Sequence, residues 1–307
     1  MTPVRIIYFP AADVLPVWTG IAKGFYTRHG VAPELTATPG SVYQFQHLGA
    51  GDFDIALTAI DNAVAYDEGQ GPVQVPNPDF VAFLGCDNAF LRLYARPEIA
   101  SYADLRGKAI AVDAPTTAFA FVLKRMLEAH GLREGDYTFV QAGGTLERFQ
   151  KLTTTQEFAA TMLTVPFDLQ AQAKGFKNLG NASDVIGHYQ GIVSVARRTW
   201  LAAHESLVDG YVRGTLDALT WLYDPANRSE AVRILGDNMK IAPELAAQLY
   251  PVLIDRTSGL DPRAAIDTQG VATVLGIRSA YGAPRKTLTD AAKYIDDRYY
   301  RRASASR

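Results

Sequence analysis

The sequence predicts a two-lobed α/β protein in which each lobe is a mostly parallel sheet flanked by helices. The chain has 307 residues, which is too long for one small core and suits two lobes of roughly 100–200 residues each. Short β-rich runs alternate with helical patterns as far as about residue 200, which is typical of βαβ units and a parallel sheet. Hydrophobic residues make up 48% and charged residues 20% of the chain, the balance of an ordinary globular protein.

In the first lobe, four strands alternate with helices. We predict strands over residues 4–9, 32–37, 54–57 and 80–84. Asp13 and Asp61 stand where a helix begins, and each is a good N-cap residue. A further strand over residues 191–196 is expected to return to this lobe. The remaining pattern predicts helices over residues 203–223, 228–238, 243–249, 262–281 and 288–300.

The second lobe repeats the strand-and-helix unit. Residues 90–95 are expected to be extended, and we predict strands over residues 108–112, 137–140 and 158–163. Thr116 or Thr117 is expected to cap the helix that follows the first of these. The lobes are therefore expected to comprise residues 1–89 with 190–307, and residues 90–189, joined by two crossing segments near 87–89 and 188–190.

Charge and motif content exclude several classes of protein. The formal net charge is −2, and the one basic cluster is Arg301, Arg302 and Arg307, so no nucleic-acid partner is expected. Cys86 is the single cysteine, and the five histidines include no i, i+4 pair and no HExxH motif, so we expect no metal site and no cofactor. The phosphate-binding motifs GxxxxGK[ST] and GxGxxG and the hydrolase motif GxSxG do not occur.

Four segments in register resemble one family of solute-binding proteins. They are FPAADVLP at 9–16, AKGFY at 22–26, GDFDIA at 51–56 and ADLRGKAIAV at 103–112. The family contains the sulfonate-, taurine- and nitrate-binding proteins and the thiamine-pyrimidine-precursor binders of ABC importers, and the resemblance covers roughly residues 4–200. It implies a periplasmic-binding-protein-like (type II) fold. It also implies a monomer that binds a small organic solute in the cleft between the lobes and delivers it to an ABC permease.

Candidate binding residues follow from the rule that ligands of open α/β sheets lie outside the carboxyl ends of the strands. Phe9 and Tyr43 offer rings, and hydroxyls and helix N-termini offer hydrogen-bond donors. The expected ligand-binding residues are Phe9, Pro10, Asp13, Tyr43, Thr58, Asp61, Asp87, Asn88, Thr116, Thr117, Thr164 and His188. Some of these residues have an alternative role that involves no ligand. The alternative is an ordinary helix cap for Asp13, Asp61, Thr116 and Thr117, and an ordinary hinge for Asp87 and Asn88. No catalytic residue is expected.

The charges of these loops favour one kind of solute. They contain Asp13, Asp61, Asp87 and Asp113 and no Arg or Lys, and four carboxylates would disfavour a bare small anion. We therefore expect a neutral or cationic organic solute, such as a flat heterocycle stacked on Phe9 or Tyr43.

Two alternative functions stay open. One is an enzyme on the same fold, resembling the desulfinases, the yeast-type pyrimidine synthases or the menaquinone-pathway enzymes. However, Phe9 stands where the desulfinase has its cysteine, and the synthases' cysteine-rich iron motif is missing. The other is a cytosolic ligand-sensing domain. The N-terminus leads straight into a strand without a charged and then apolar leader. The expected location is the periplasm if a signal peptide precedes this sequence, and otherwise the cytoplasm.

Overall fold

The computed structural model describes residues 1–305. Its strands are β1 (Thr2–Tyr8), β2 (Val31–Ala37), β3 (Ile55–Ala59), β4 (Phe80–Gly85), β5 (Arg92–Ala95), β6 (Ala109–Val112), β7 (Thr138–Gln141), β8 (Ala160–Leu163), β9 (Lys177–Asn181) and β10 (Ile192–Arg197). Its α-helices are α1 (Leu15–Ala22), α2 (Phe25–Arg28), α3 (Ser41–Ala50), α4 (Ile60–Asp67), α5 (Ala118–Ala129), α6 (Thr145–Thr154), α7 (Phe167–Ala173), α8 (Ser183–Ile186), α9 (Arg198–Ala203), α10 (Glu205–Leu222), α11 (Arg228–Met239), α12 (Pro243–Leu253), α13 (Thr268–Tyr281) and α14 (Arg298–Ala305).

The chain forms two compact units. Unit 1 comprises residues 1–88, 190–272 and 289–307, and unit 2 comprises residues 89–189 and 273–288. From the sequence, residues 273–288 are expected in the first lobe, because nothing in the composition marks a boundary within α13. They group with unit 2 because the end of α13 packs on α5, where the Tyr281 ring lies 5.8 Å from that of Phe121.

Unit 1 is built on one five-stranded sheet with the order β2-β1-β3-β10-β4. β1 is parallel to β2 and β3, whereas β10 is antiparallel to its neighbours β3 and β4. The expectation that residues 191–196 return to the first sheet is therefore confirmed. β3 and β4 are buried along their whole lengths, which fits apolar strands covered on both faces by helices.

Unit 2 has the same arrangement, with the order β7-β6-β8-β5-β9. β6, β7 and β8 are parallel, and β5 is antiparallel to β8 and β9. The core contains Tyr94, Ala111, Phe149, Phe158 and Leu163. We did not predict β9, because its sequence KNLGN lacks an apolar alternation; backbone pairing with β5 forms it.

The helix ends correct some of the expected caps. Thr117 does cap α5, since its Oγ1 accepts a hydrogen bond from the Ala120 N–H at 3.4 Å. Asp13 instead lies within a 3₁₀ turn at Ala12–Val14, and Asp61 lies inside α4; no described side chain caps either element. The helix expected over 288–300 is a 3₁₀ turn at 291–294 followed by α14. In the range that the structure describes, no helix has both the length and the hydropathy to span a membrane.

Candidate functional site

The carboxyl ends of β1, β3 and β4 meet along one edge of the sheet in unit 1. β10 runs the opposite way, so it begins at this edge. The Ile60 N–H donates to the Gly191 carbonyl at 3.0 Å, and the Gly191 N–H donates to the Asp87 carbonyl at 2.8 Å. We call residues 9–13, 38–43, 58–61, 86–88 and 190–192 the strand-end edge of unit 1.

Two helices begin at the strand-end edge of unit 1. The N-cap residues are Gly40 for α3 and Ala59 for α4, and no side chain within residues 1–305 caps either helix. The first N–H groups of a helix have no partner inside it, and the helix dipole makes that end partially positive. At α4 the first of these groups, the Ile60 N–H, already donates to Gly191. The first turn of α3 is therefore where the edge offers backbone donors to an acceptor group.

Three of the expected residues are accessible at this edge. Phe9, directly after β1, is half-buried, and Pro10 is exposed. Tyr43, in the first turn of α3, is 39% exposed. Its ring centroid lies 4.0 Å from that of His47, one helical turn further on, so the His47 ring supports one side of the Tyr43 ring.

Two other expected residues lie inside unit 1. Thr58, within β3, is 0% exposed, and its Oγ1 accepts a hydrogen bond from Asn62 Nδ2 at 2.9 Å. Asp61 is 2% exposed. Neither side chain is therefore accessible at the edge.

Asp87 joins the end of β4 to the beginning of β10. Its Oδ1 accepts from the Ile192 N–H at 3.0 Å, and its carbonyl accepts from Gln190 Nε2 at 3.1 Å. Asn88, the next residue, is half-buried. The structure thus brings Phe9, Asp13 and Asp87 to one edge, as strand order predicts.

Burial and like charge alter the acid–base properties of this edge. Desolvation raises the pKa of Asp13 to about 8, and the charge of Asp87 adds to the effect. The Cys86 thiol donates to the Asp13 carbonyl at 3.6 Å. Desolvation, followed by the charges of Asp87 and Asp13, raises the pKa of that thiol well above its usual value. Beside them is a cavity of about 20 Å³, room for about one water molecule.

Unit 2 has a corresponding strand-end edge. β6, β7 and β8 end there, and the antiparallel β5 begins there, with Arg92 opposite Leu163. We call residues 113–117, 142–145 and 164–166, together with Arg92, the strand-end edge of unit 2.

The expected residues of unit 2 differ in their surroundings. Thr116 is exposed, whereas the Thr117 hydroxyl donates to Asp113 Oδ1 at 2.7 Å. Thr164 is half-buried, and its carbonyl accepts from the Phe167 N–H at 2.9 Å. His188 is exposed and belongs to unit 2. It lies in the segment after α8, which is not one of the segments that form the strand-end edge.

Two arginines at this edge were not predicted from the sequence. Arg92 pairs with the buried Asp168. Arg148, in α6, is 2% exposed. It donates hydrogen bonds at the ends of β7 and β8 and lies 4.0 Å from Asp113, which follows β6. Both were overlooked because only loop residues were considered, whereas Arg92 begins an antiparallel strand and Arg148 lies one helical turn after Gly144. The Gly143-Gly144-Thr145 start of α6 was the signal that could have found Arg148.

Metal binding has no support from side-chain positions. Within residues 1–305, no group of three or more His, Cys, Asp or Glu side chains is placed to hold a metal ion.

Solved structures share this fold. The nitrate-binding protein NrtA from Synechocystis PCC 6803 superposes with a TM-score of 0.80 at 13% identity, covering 100% of this chain and 89% of that one. The alkanesulfonate-binding protein SsuA from Xanthomonas axonopodis pv. citri gives 0.76 at 16% identity, covering 96% and 98%. The desulfurization enzyme DSZB gives 0.69 at 13% identity, covering 99% of each chain. At these identities the likeness establishes the fold, and it confirms the predicted periplasmic-binding-protein-like class.

The sequence itself identifies the family. No curated protein sequence matches the chain. Residues 11–228 match the family described as NMT1/THI5-like, which is more than half of the 307 residues. This agrees with the resemblance found in the segments 9–16, 22–26, 51–56 and 103–112. The chain belongs to the NMT1/THI5-like family.

Proposed function

We propose that this chain is a solute-binding protein that captures a small organic molecule for an ABC importer and works in the periplasm. The observation that carries the proposal is the strand-end edge of unit 1. There, the uncapped N-terminus of α3 and the accessible rings of Phe9 and Tyr43 lie along one edge. Donors together with an apolar ring surface are what a small-molecule site needs for orientation and affinity.

Unit 2 supplies a second set of binding groups in this proposal. Thr116 is exposed at the start of α5, and α6 begins at Gly144 on the same edge. The hydroxyl and the backbone N–H groups there are donors suited to a polar solute. Such contacts hold a molecule without breaking its bonds.

The charges of unit 1 favour a neutral or cationic group of the solute at its edge. Asp13 is largely protonated at neutral pH because its pKa is about 8, so it can donate to an acceptor or, once ionised, attract a cation. A flat heterocycle that carries a basic nitrogen or an amino group can accept a hydrogen bond or bear a positive charge. Its flat face can also stack on an aromatic ring.

Thiol chemistry at Cys86 is disfavoured. The thiolate is the nucleophile in cysteine enzymes, and the raised pKa of Cys86 keeps it as a thiol that donates to the Asp13 carbonyl. An enzyme of another kind would reveal itself by forming product from a bound solute.

The test is a binding panel with ethanesulfonate, nitrate, 4-aminopyrimidines and alkylamines. A solute present at 100 times its Kd raises the free energy of unfolding by about 2.7 kcal/mol. We expect aminopyrimidines or amines to raise the melting temperature, and we expect no product to form on incubation. Calorimetry then gives the Kd of each solute that binds. Tight binding of nitrate or ethanesulfonate with no response to heterocycles or amines would contradict the proposed solute class.

A variant tests whether Tyr43 contacts the solute. Tyr43→Ala should weaken binding about threefold to tenfold, because an aromatic contact contributes about 0.5–1.5 kcal/mol. Gln46→Ala, an exposed position on the same helix, is the control and should leave Kd unchanged. Equal affinity in the two variants would remove Tyr43 from the site.

A further inference from the structure

Arg148 connects all three parallel strand ends of unit 2. Its Nη1 donates to the Gly143 carbonyl at 2.7 Å, and its Nη2 donates to Thr145 Oγ1 and to the Met162 carbonyl, each at 3.3 Å. Its Nε donates to Thr161 Oγ1 at 3.1 Å. These four acceptors belong to the segment after β7, the first turn of α6, and β8.

The network extends to β6 by two further contacts. The Thr161 hydroxyl donates to the Ala111 carbonyl at 2.9 Å, and Arg148 Nη1 lies 4.0 Å from Asp113 Oδ1. Asp113 in turn accepts from Thr117, the N-cap residue of α5. One buried guanidinium thus reaches the segments that follow β6 and β7 and the last residues of β8.

We propose that Arg148 is a positioning residue that fixes the strand-end edge of unit 2 in the conformation that binds the solute. The planar guanidinium has five N–H donors in a rigid fork, and four hydrogen bonds in different directions hold the segments relative to one another. The effect on affinity rests on the proposed solute-binding function, whereas the effect on the loops does not.

Lysine at this position separates geometry from charge. An ammonium keeps the positive charge, but it is a point charge on a flexible stem and cannot reproduce the fork. Arg148→Lys should therefore loosen the edge although the charge is retained.

Arg96 provides a matched control in the same unit. It is 6% exposed, and it donates from Nε to the Phe158 carbonyl at 2.7 Å and from Nη2 to the Thr155 carbonyl. It follows β5 and faces the segment before β8, which is the opposite edge of the same sheet. Arg96→Lys removes a comparable buried fork without touching the strand-end edge.

Hydrogen–deuterium exchange in the solute-free protein tests the positioning role. The amides of Thr117, Ala142 and Phe167 donate to Ala114, Val112 and Thr164, respectively, so they report on the three segments. In Arg148→Lys we expect exchange at least tenfold faster in peptides covering 113–117, 142–147 and 164–168. In Arg96→Lys we expect unchanged exchange there and faster exchange over 155–159. Unchanged exchange in Arg148→Lys, or an equal rise in both variants, would overturn the proposal.

Two further measurements keep the outcome decisive. If Arg148→Lys does not fold, the variant Thr145→Val takes its place, because it removes a single acceptor of the Arg148 guanidinium. We expect it to raise amide exchange over residues 142–147 by twofold to fivefold. Unchanged exchange in Thr145→Val would refute the positioning role. For the compound of the above panel with the lowest Kd, Arg148→Lys should raise Kd at least tenfold and Arg96→Lys less than twofold. If no compound of the panel binds, the proposed function is contradicted. The exchange measurement still decides whether Arg148 positions the strand-end edge of unit 2.

Discussion

At the residue scale, Asp13 shows how surroundings override a local pattern. An aspartate before a helical run predicts an N-cap, yet Asp13 lies within a 3₁₀ turn near Asp87 and the half-buried Cys86. Desolvation disfavours its charged form, and the charge of Asp87 disfavours it further. The same carboxyl that would stabilise a helix in isolation here takes up a proton in the folded state.

Replacing Asp13 by Asn should change the pH dependence of stability. The folded-state pKa of about 8 lies above the ordinary value of 3.8, so between these pH values the folded state binds more protons than the unfolded one. Stability of the parent protein therefore falls with rising pH in this window, by up to about 1.4 kcal/mol per pH unit. We expect Asp13→Asn to gain stability relative to the parent from pH 5 to pH 8, as measured by urea unfolding, and the gain to level off above about pH 8.

The difference between the two proteins is the informative quantity, because titrating groups that do not interact with Asp13 cancel in it. A difference that stays constant from pH 5 to pH 9 would mean that Asp13 is ionised throughout.

At the element scale, two helix C-termini show how left-handed backbone is accommodated. α11 ends at Lys240, which has φ 53° and ψ 44°, a region that costs a non-glycine residue about 1–2 kcal/mol. α5 ends before Gly131, whose φ of 80° suits glycine. The left-handed conformation that follows each helix is thus adopted by a lysine after α11 and by a glycine after α5.

Substitutions at Lys240 and Gly131 should change the free energy of unfolding in opposite directions. Lys240→Gly should raise the free energy of unfolding by about 0.5–1 kcal/mol, since relief of the left-handed strain exceeds the added entropy of the unfolded chain. Gly131→Ala should lower it by about 1 kcal/mol; no atom lies within 4 Å of the added Cβ, so the loss reports the backbone alone. Guanidinium unfolding measures both, and a destabilised Lys240→Gly protein would contradict the argument.

At the scale of the whole molecule, unit 1 is assembled from three separate stretches of chain. The last stretch adds to β4, where the Asp296 N–H donates to the Ala82 carbonyl at 2.8 Å. The Tyr294 hydroxyl donates to the buried Glu68 at 2.7 Å, and Arg302 pairs with Asp209 at 2.7 Å. Unit 1 therefore depends on residues far apart in sequence.

A chain ended after Leu288 should lose stability in unit 1 while unit 2 keeps its own. We expect amide exchange in β4 to rise at least tenfold, because its neighbouring segment and the partner of Glu68 are gone, and exchange in β6 to stay within twofold as the internal control. Protection of β4 equal to that of the full chain would show that unit 1 is complete without its last stretch.

Much of the architecture was predictable. Apolar runs such as those of β3 and β4 and the helical spacing after them predicted the fold class, and the four segments that resemble the solute-binding family predicted the family. The apolar run of β10 predicted a strand, and its expected return to the first sheet is what the structure shows. β9 was not predictable, because KNLGN forms a strand only through pairing with β5. The place of residues 273–288 depended on the contact of Tyr281 with Phe121.

The candidate site divides in the same way. By itself the sequence determined which segments follow the strands, because the positions of strands and loops along the chain are local properties of the pattern. Phe9, Asp13, Thr116 and Thr117 therefore lie after strands as expected, and their contact with a solute stays a prediction. Only the tertiary structure decided which side chains are accessible, that Thr58 is enclosed, and that Arg148 serves three strand ends at once. The physical reason is that burial, pKa and hydrogen-bond geometry depend on neighbours distant in the chain, and residue spacing does not encode them.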